Sequence, residues 1–581
     1  MVDQVYNGMR RKAVSGRFSP GGWSLPGIGM RLLPLLVTVS LLLAACGVPA
    51  TGEPAQPRGP DQLDQAVGDQ FKPAALTPVS PDSHTPEPAT PTSSAEEGPS
   101  VDQAEPDEVA GLADIEPVDE MALPYYAQSG DTLPVVAMRY AVSPGEVSSP
   151  YPLPTSGLLQ PGQLLVLPSS ADPLVSFQPL LPDSEVVYSP SALDFDAGAY
   201  LDGAGGYLGQ NAEYLRSTGW TDPGVIVERV ALENSINPRL LISLLEYSCG
   251  CVIGQGGEYL DEGFFFGVED YRWKGLYGQL AWAAGQLSLG YYGWRDGSLL
   301  GIPLPDGIIY RPAPDSNAGS VALQYYFSQL WAAHELAAAQ APGTEPGFDR
   351  SSWELALDPA RGLPALHRSM FGDPWARADL VEPLLPAGLA QPELILPFEP
   401  DTLWVYASGP HPAWGKGGAL AALDFAPATH ATGCVESSAW VLAVADGPVV
   451  RSGYGVVVQD LDHDGQRSTV SDQHEQTGWS IFYMHIAEEG RVEPGTYLRV
   501  GDPLGHPSCE GGPATGTHLH IARKYNGEWI LAGEPLPFVM DGWTAHYGDQ
   551  PYQGTLVKDD QLITADPWAT RKSHITRQIE E

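Results

Sequence analysis

The chain has 581 residues, and its 30 Lys and Arg against 71 Asp and Glu give a formal net charge of −41. That length accommodates several domains, and that acidity excludes nucleic-acid binding through basic patches. Charged residues make up only 17% while Gly and Pro number 65 and 56, which predicts many loops and a long linker.

Arg31 precedes an apolar run from Leu32 that closes on Leu43-Ala44-Ala45-Cys46. A positive charge, a short apolar stretch and small residues at its end read as a secretory signal, too short for an ordinary transmembrane helix. Leu-Ala-Ala-Cys resembles the bacterial lipobox. The resemblance implies a signal peptide over residues 1–45, starting at Met1 or Met30, and lipidation of Cys46. The chain would then be an extracytoplasmic lipoprotein, tethered to a cell membrane without spanning it. Export permits disulfides. Residues 46–119 are rich in Pro, Ala, Ser, Glu and Asp with little apolar periodicity, which predicts a disordered linker.

In Tyr125-Tyr126-Ala127-Gln128-Ser129-Gly130-Asp131-Thr132-Leu133, a strand leads into a turn. Asp131 or Thr132 caps a helix with Pro134 in its first turn. Val142-Ser143 leads to a second short helix, and Gln160-Pro161-Gly162-Gln163-Leu164-Leu165-Val166-Leu167-Pro168 reads as a turn and strand. These pieces resemble a LysM glycan-binding module of βααβ form over residues 123–169. The Asn that often follows the second helix of such modules is absent; Ser148-Ser149-Pro150 stands there.

Residues 185–345 read as a mostly helical domain. Apolar residues recur at helical spacing over Ile226–Leu232 and Leu240–Leu245, with a break at Asn234-Ser235-Ile236-Asn237 and Pro238 opening the next helix. Leu276–Leu289 and Ala318–Ala339 are long helix candidates. The run Ile236-Asn237-Pro238-Arg239-Leu240-Leu241 through Glu246 faintly resembles lysozyme-like transglycosylases, which would make Glu246 a general acid. The alternative is a helical spacer with a Glu at a helix end. Cys249 and Cys251 flank one Gly and either pair or remain thiols. A Pro-rich connection is expected over 346–389, with Trp353 and Trp375 packing back on the helices.

The C-terminal part carries the most specific pattern: Ser408-Gly409-Pro410-His411, then Leu423-Asp424, then Tyr483-Met484-His485, and finally Gly516-Thr517-His518-Leu519-His520. On a strand, residues two apart share a face, so His518 and His520 address one point. The ordered set resembles the zinc endopeptidases of the lysostaphin and β-lytic type, which cut peptidoglycan peptides. The thirteen-residue offset from His411 to Asp424 is longer than in lysostaphin and is similar to the β-lytic branch, with Trp414-Gly415-Lys416-Gly417-Gly418 as the excursion between them.

The resemblance implies an antiparallel β zinc-peptidase domain over 390–556, followed by a polar, irregular tail over 557–581. His411, Asp424 and His520 are its implied Zn2+ ligands, a three-ligand set that leaves a position open for water. His485 and His518 are implied to orient that water and move its proton, and Tyr552, with Tyr547 as rival, to hold the oxyanion. His430 is a weaker candidate ligand, lying after the Asp. Cys434 and Cys509 are expected to pair beside the site. Asp460-Leu461-Asp462-His463-Asp464-Gly465 resembles the start of a calcium loop, but an acidic hairpin turn is the favoured reading.

The expected fold class is multidomain α+β: a LysM-like module, a helical middle and an antiparallel β peptidase. The expected partners are peptidoglycan peptides and glycan and a membrane reached by the anchor, with a monomeric chain. Two alternatives stay open: a non-enzymatic wall-binding regulator of other hydrolases, and a lysozyme-like enzyme acting through Glu246.

Overall fold

The computed structural model describes residues 122–168, 178–256, 260, 263–340, 347–428, 433–461 and 472–578. The expected signal peptide, Cys46 and the linker lie outside the described residues, as do His430 and residues 462–465 of the acidic turn. Among the described residues, no helix is long and apolar enough to cross a membrane.

The first unit joins β1 (Leu123–Tyr126), α1 (Leu133–Arg139) and β2 (Leu164–Leu167), with β1 antiparallel to β2. Thr132, not Asp131, caps α1, its side chain accepting from Val135 N at 3.4 Å. The second helix of the expected βααβ order contracts to a three-residue 3-10 turn, Pro144–Glu146. Gly145 costs helix propensity, and Glu146 turns back to accept from the backbone N and hydroxyl of Ser143 at 2.9 and 2.6 Å.

This unit is docked. Asp131 is buried and accepts from Tyr125 Oη and from Arg139 Nη1, at 2.5 and 2.8 Å. Arg139 Nη2 donates to the carbonyl of Trp294 at 2.8 Å, and Gln128 Nε2 to that of Asp315 at 2.7 Å. The Gly-Asp-Thr turn therefore faces the helices that follow.

Those helices are α2 (Pro223–Asn234), α3 (Pro238–Cys249), α4 (Leu276–Arg295) and α5 (Ala318–Gln340). Ser235 takes a left-handed backbone that ends α2, and Asn237 caps α3 by accepting from Arg239 N at 2.9 Å. Cys249 and Cys251 are joined as a disulfide.

The expected Pro-rich connection instead holds α6 (Arg350–Ala356), α7 (Leu363–Phe371) and α8 (Pro374–Ala378). Pro364 and Pro374 sit in first turns, where the missing N–H has no helical partner to lose. Trp353 is buried and donates to the carbonyl of Gln324 at 3.3 Å. His367, fully buried on α7, lies 2.8 Å from Ser243 Oγ and 3.0 Å from Glu185 Oε2. The helical layer therefore runs on past residue 345, and Leu384 is still in its core.

The large sheet contains β3 (Leu403–His411), β4 (Ala422–Pro427), β5 (Gly447–Gly453), β6 (Val456–Asp460), β7 (Trp479–Met484), β8 (Tyr497–Leu498) and β9 (Leu519–Tyr525). A short hairpin strand, β10 (Glu528–Trp529), pairs with β9. A second, four-stranded sheet follows: β11 (Val539–Met540), β12 (Trp543–Tyr547), β13 (Gly554–Lys558) and β14 (Gln561–Thr564). The last strand, β15 (His574–Thr576), returns to the large sheet, whose order is β8-β5-β6-β7-β9-β4-β3-β15. The expected irregular tail is thus a hairpin strand and an edge strand. Its polar composition hides two anchors, Ile563 and Ile575, which are both buried.

Strand alternation divides the large sheet's contacts between two cores. Leu423, Val457, Ile481, Tyr483 and Ile521 face one core with Leu396 and Phe398. Ala422, Val458, Phe482, Met484 and Ala522 face the other, which they share with the helices. Trp529 from β10 enters this second core, donating its ring N–H to the Asn234 carbonyl at 3.3 Å. At the same seam Arg295 is buried between Asp183, at 3.0 Å, and Glu528, at 3.1 Å. The helical layer therefore covers part of the face on which His520 and Asp424 stand.

Candidate metal centre

Register brings the site together. His520 on β9 is the direct cross-strand partner of Asp424 on β4 and of Met484 on β7, one residue before His485. His411 ends β3. His411 Nε2 and His520 Nδ1 each lie 3.2 Å from Asp424 Oδ1 and 3.0 Å from each other. All three residues are buried.

Backbone carbonyls orient every ring. His411 Nδ1 donates to Gly409 O at 2.8 Å and His520 Nε2 to Ala413 O at 3.0 Å. His485 Nδ1 donates to Glu510 O and His518 Nδ1 to Gly516 O, both at 2.7 Å. With one nitrogen committed as donor, each neutral ring offers a lone pair on the other. His518 Nε2 lies 3.7 Å from Asp424 Oδ1, and the His485 and His518 ring centroids are 4.4 Å apart. Tyr552 stacks on His411 at 4.6 Å between centroids and is half exposed. Tyr547 instead packs its ring against Gly533, so Tyr552 is the tyrosine that reaches the site.

Burial pushes the Asp424 carboxyl up, but the adjacent His411 and His518 overcome this and hold it well below the usual carboxylate range. Burial, reinforced by His518 and His520, pushes His485 down to about 3. His485 is therefore a neutral base at physiological pH.

These observations test whether a metal fits. With both rings neutral, His411 Nε2, His520 Nδ1 and Asp424 Oδ1 are three acceptors in mutual contact, and Asp424 Oδ1 is then a buried oxygen without a donor. Converging lone pairs repel unless a cation lies between them. Nitrogen and oxygen ligands at ~2.0–2.1 Å around a tetrahedral ion stand ~3.3 Å apart, close to the separations found. The set fits a small cation that accepts imidazole and carboxylate.

The flanks are braced. Cys434 and Cys509 form a disulfide, with Cα atoms 5.7 Å apart. Beside Cys509, Ser508 N donates to His485 O at 2.6 Å. Beside Cys434, Val435 N donates to Thr517 Oγ1 at 2.9 Å, next to His518. Behind the site, the loop after His411 lies on α4: a Cβ on Gly418 would sit 2.8 Å from Ser288 Cβ. The four orienting carbonyls and this contact have no side-chain signature, so sequence reasoning did not reach them. Glu246 lies elsewhere and closes the loop after α3, its Oε2 accepting from Val252 N and Ile253 N at 2.9 and 3.0 Å.

The family model described as "LasA, N-terminal domain" matches residues 179–385, the helical layer with α6 to α8 included. No curated protein matches the chain. Among solved structures, the M23 metalloprotease pseudoalterin from the deep sea is similar at 20% identity and a TM-score of 0.25, over 30% of this chain and 96% of that one. The catalytic domain of lysostaphin from Staphylococcus simulans is similar at 21% identity and a TM-score of 0.16, over 23% and 89%. A zinc-containing peptidase from Vibrio cholerae is similar at 19% identity and a TM-score of 0.15, over 24% and 35%.

Proposed function

We propose that the chain is a zinc-dependent endopeptidase that hydrolyses peptide bonds of bacterial cell-wall peptidoglycan. The observation that carries this reading is the trio of converging acceptors, with two further histidines beside it. His411, Asp424 and His520 would hold the ion. When bound, zinc supplies a Lewis acid and a water nucleophile at neutral pH. His485 and His518, with carbonyls holding their Nδ1 protons, keep Nε2 free to take a proton from the attacking water and return it to the leaving amine. The Tyr552 hydroxyl would donate to the developing oxyanion.

The reading extends to location. The lipobox-like Cys46 and the two disulfides suit an envelope protein held to a membrane, outside the cytoplasm. The LysM-like unit buries its Gly-Asp-Thr turn, so glycan contact would fall to its outer face, where Tyr126 and Tyr151 are exposed. The glycan-cleaving alternative loses support, because Glu246 is committed to two backbone donors.

The test is digestion of purified peptidoglycan by the chain without its leader, with products read by mass spectrometry. New peptide amino termini, abolished by a chelator and restored by zinc, are expected. Intact peptide stems after incubation with the zinc-loaded chain would refute the proposal.

A further inference from the structure

A cavity of about 260 Å³ opens between the helix Ala197–Ala204 and the start of α2. That volume is near the lower end of the ~300–1,000 Å³ of small-molecule sites. It is far roomier than an ion cage, whose ligands close in to ~2.3–2.6 Å even for calcium. Close backbone approach fixes its walls. A Cβ on Gly224 would strike Gly198 Cα, and one on Gly209 would lie 2.6 Å from Leu201 O.

The lining is rich in acceptors. Asp202 and Asp222 both line the cavity and are exposed. Asp222 stands at the N-cap of α2, yet its side chain accepts no capping bond. Gln210 Nε2 donates to Gly205 O at 3.2 Å and Asn211 Nδ2 to Tyr207 O at 2.6 Å. Each amide spends a donor on the backbone and keeps its oxygen as an acceptor. None of the lining residues is a cation.

An antiparallel hairpin, Glu213–Leu215 with Gly219–Thr221, rises from the rim. Ala212 and Asp222, which flank it in the chain, both line the cavity. Glu213 turns inward, its Oε2 accepting from Leu276 N at 2.6 Å, and its cross-strand partner Thr221 is buried. Alternation therefore puts Tyr214 and its partner Trp220 on the outer face, the face that Ala212 and Asp222 share. Their rings meet edge to face at 5.8 Å and are 62% and 76% exposed, so most of each is open. The aromatic pair and the acceptor-lined cavity are thus continuous.

We infer that the cavity and the Tyr214–Trp220 pair form one binding site for a neutral oligosaccharide. A pyranose ring carries hydroxyls around its rim and apolar C–H bonds on its faces. The hydroxyls donate to carboxylates and amide oxygens. The C–H faces cover aromatic rings, whose π faces are negative. Two carboxylates without a lining cation disfavour an anionic ligand. Identifying the saccharide with the glycan of peptidoglycan rests on the peptidase reading; the site itself does not.

The test is calorimetric titration of the full chain with the neutral tetramer of N-acetylglucosamine, with Ca2+ and with spermidine. The host chain carries Tyr126→Ala and Tyr151→Ala, which removes the exposed tyrosines of the LysM-like unit. The tetramer should bind, and Trp220→Ala should weaken it about tenfold or more, with circular dichroism unchanged. Asp222→Ala should weaken it too, and Asp222→Asn, which retains an acceptor, should weaken it less. No binding of the tetramer, or binding that Trp220→Ala leaves unchanged, overturns the site. So does binding of Ca2+ or spermidine, lost with Asp222→Ala, by a chain that ignores the tetramer. Saccharide binding by a zinc-loaded wild-type chain that cuts no peptidoglycan overturns the peptidase reading instead and leaves the site standing.

Discussion

Gly418→Ala tests whether the helical layer sets the geometry of the metal centre. The added Cβ would sit 2.8 Å from Ser288 Cβ on α4, ~0.7 Å or more inside the ~3.5–4.0 Å at which carbon atoms rest. Gly418 also has φ +97°, a backbone that strains any side chain by ~1–3 kcal/mol. The loop must lift off the helix by about the missing distance. Ala413 moves with it, because Ala413 N donates to Ala419 O at 3.0 Å. The Ala413 carbonyl is what fixes the His520 ring, again at 3.0 Å. Losing such an outer partner costs ~10–100-fold in metal affinity. Zinc affinity, read by competition with a chromogenic chelator, is therefore expected to fall by at least about tenfold while circular dichroism stays unchanged. Adding Ser288→Gly removes the atom that is struck and should recover part of the affinity, the backbone strain at Gly418 remaining. An unchanged zinc affinity in a folded Gly418→Ala chain would refute the reasoning, as would a loss that Ser288→Gly leaves untouched.

Arg295→Met leaves Asp183 and Glu528 as unpaired buried anions and should cost about 3–5 kcal/mol, read from chemical denaturation midpoints. Glu228 has a folded pKa raised to about 7 by burial, so its contribution is fully present below about 4.5 and is lost as pH rises through 7. Glu228→Gln should accordingly be more stable than wild type at pH 8, by ~1–3 kcal/mol, and no more stable at pH 4. Asp424→Asn should abolish zinc binding measured by equilibrium dialysis, whereas His518→Ala should retain the metal and lose hydrolysis. Cys434→Ser opens a loop of 75 residues and should lower stability by ~4 kcal/mol on the chain-entropy account, seen as a lower thermal midpoint under oxidising conditions.

The local parts of this molecule were legible because a short-range rule decides each of them. Period-2 alternation alone puts His518 and His520 on one face, and a capping Thr with Pro two residues on marks the start of α1. The misread segments failed for equally physical reasons. Pro364 and Pro374 look like chain breakers, yet each occupies a first helical turn, where proline is tolerated. The residues after 557 look like a polar tail because only Ile563 and Ile575 anchor them; β14 folds back on its neighbour β13, but the pairing of β15 is set by β3, far away in the chain. The contacts that orient the histidines are backbone carbonyls, to which side-chain identity contributes nothing. Arg295 reads as an ordinary helix-end cation until Asp183 and Glu528, from either side of it in sequence, are brought to it.

One strand shows why the helical layer and the site belong to one architecture. Along β9, His520, Ala522 and Lys524 alternate with Leu519, Ile521 and Arg523, so the metal-facing and helix-facing positions are successive members of a single row. The row changes character from ligand to small apolar residue to buried cation within five residues. Ala522 and its partner Phe482 supply the apolar surface the helices require, and Lys524 is neutralised by Glu475 at 2.5 Å. Removing the helices would expose Val458, Phe482, Met484 and Trp529 together as one apolar patch. The helical layer is therefore part of the fold of the site-bearing sheet.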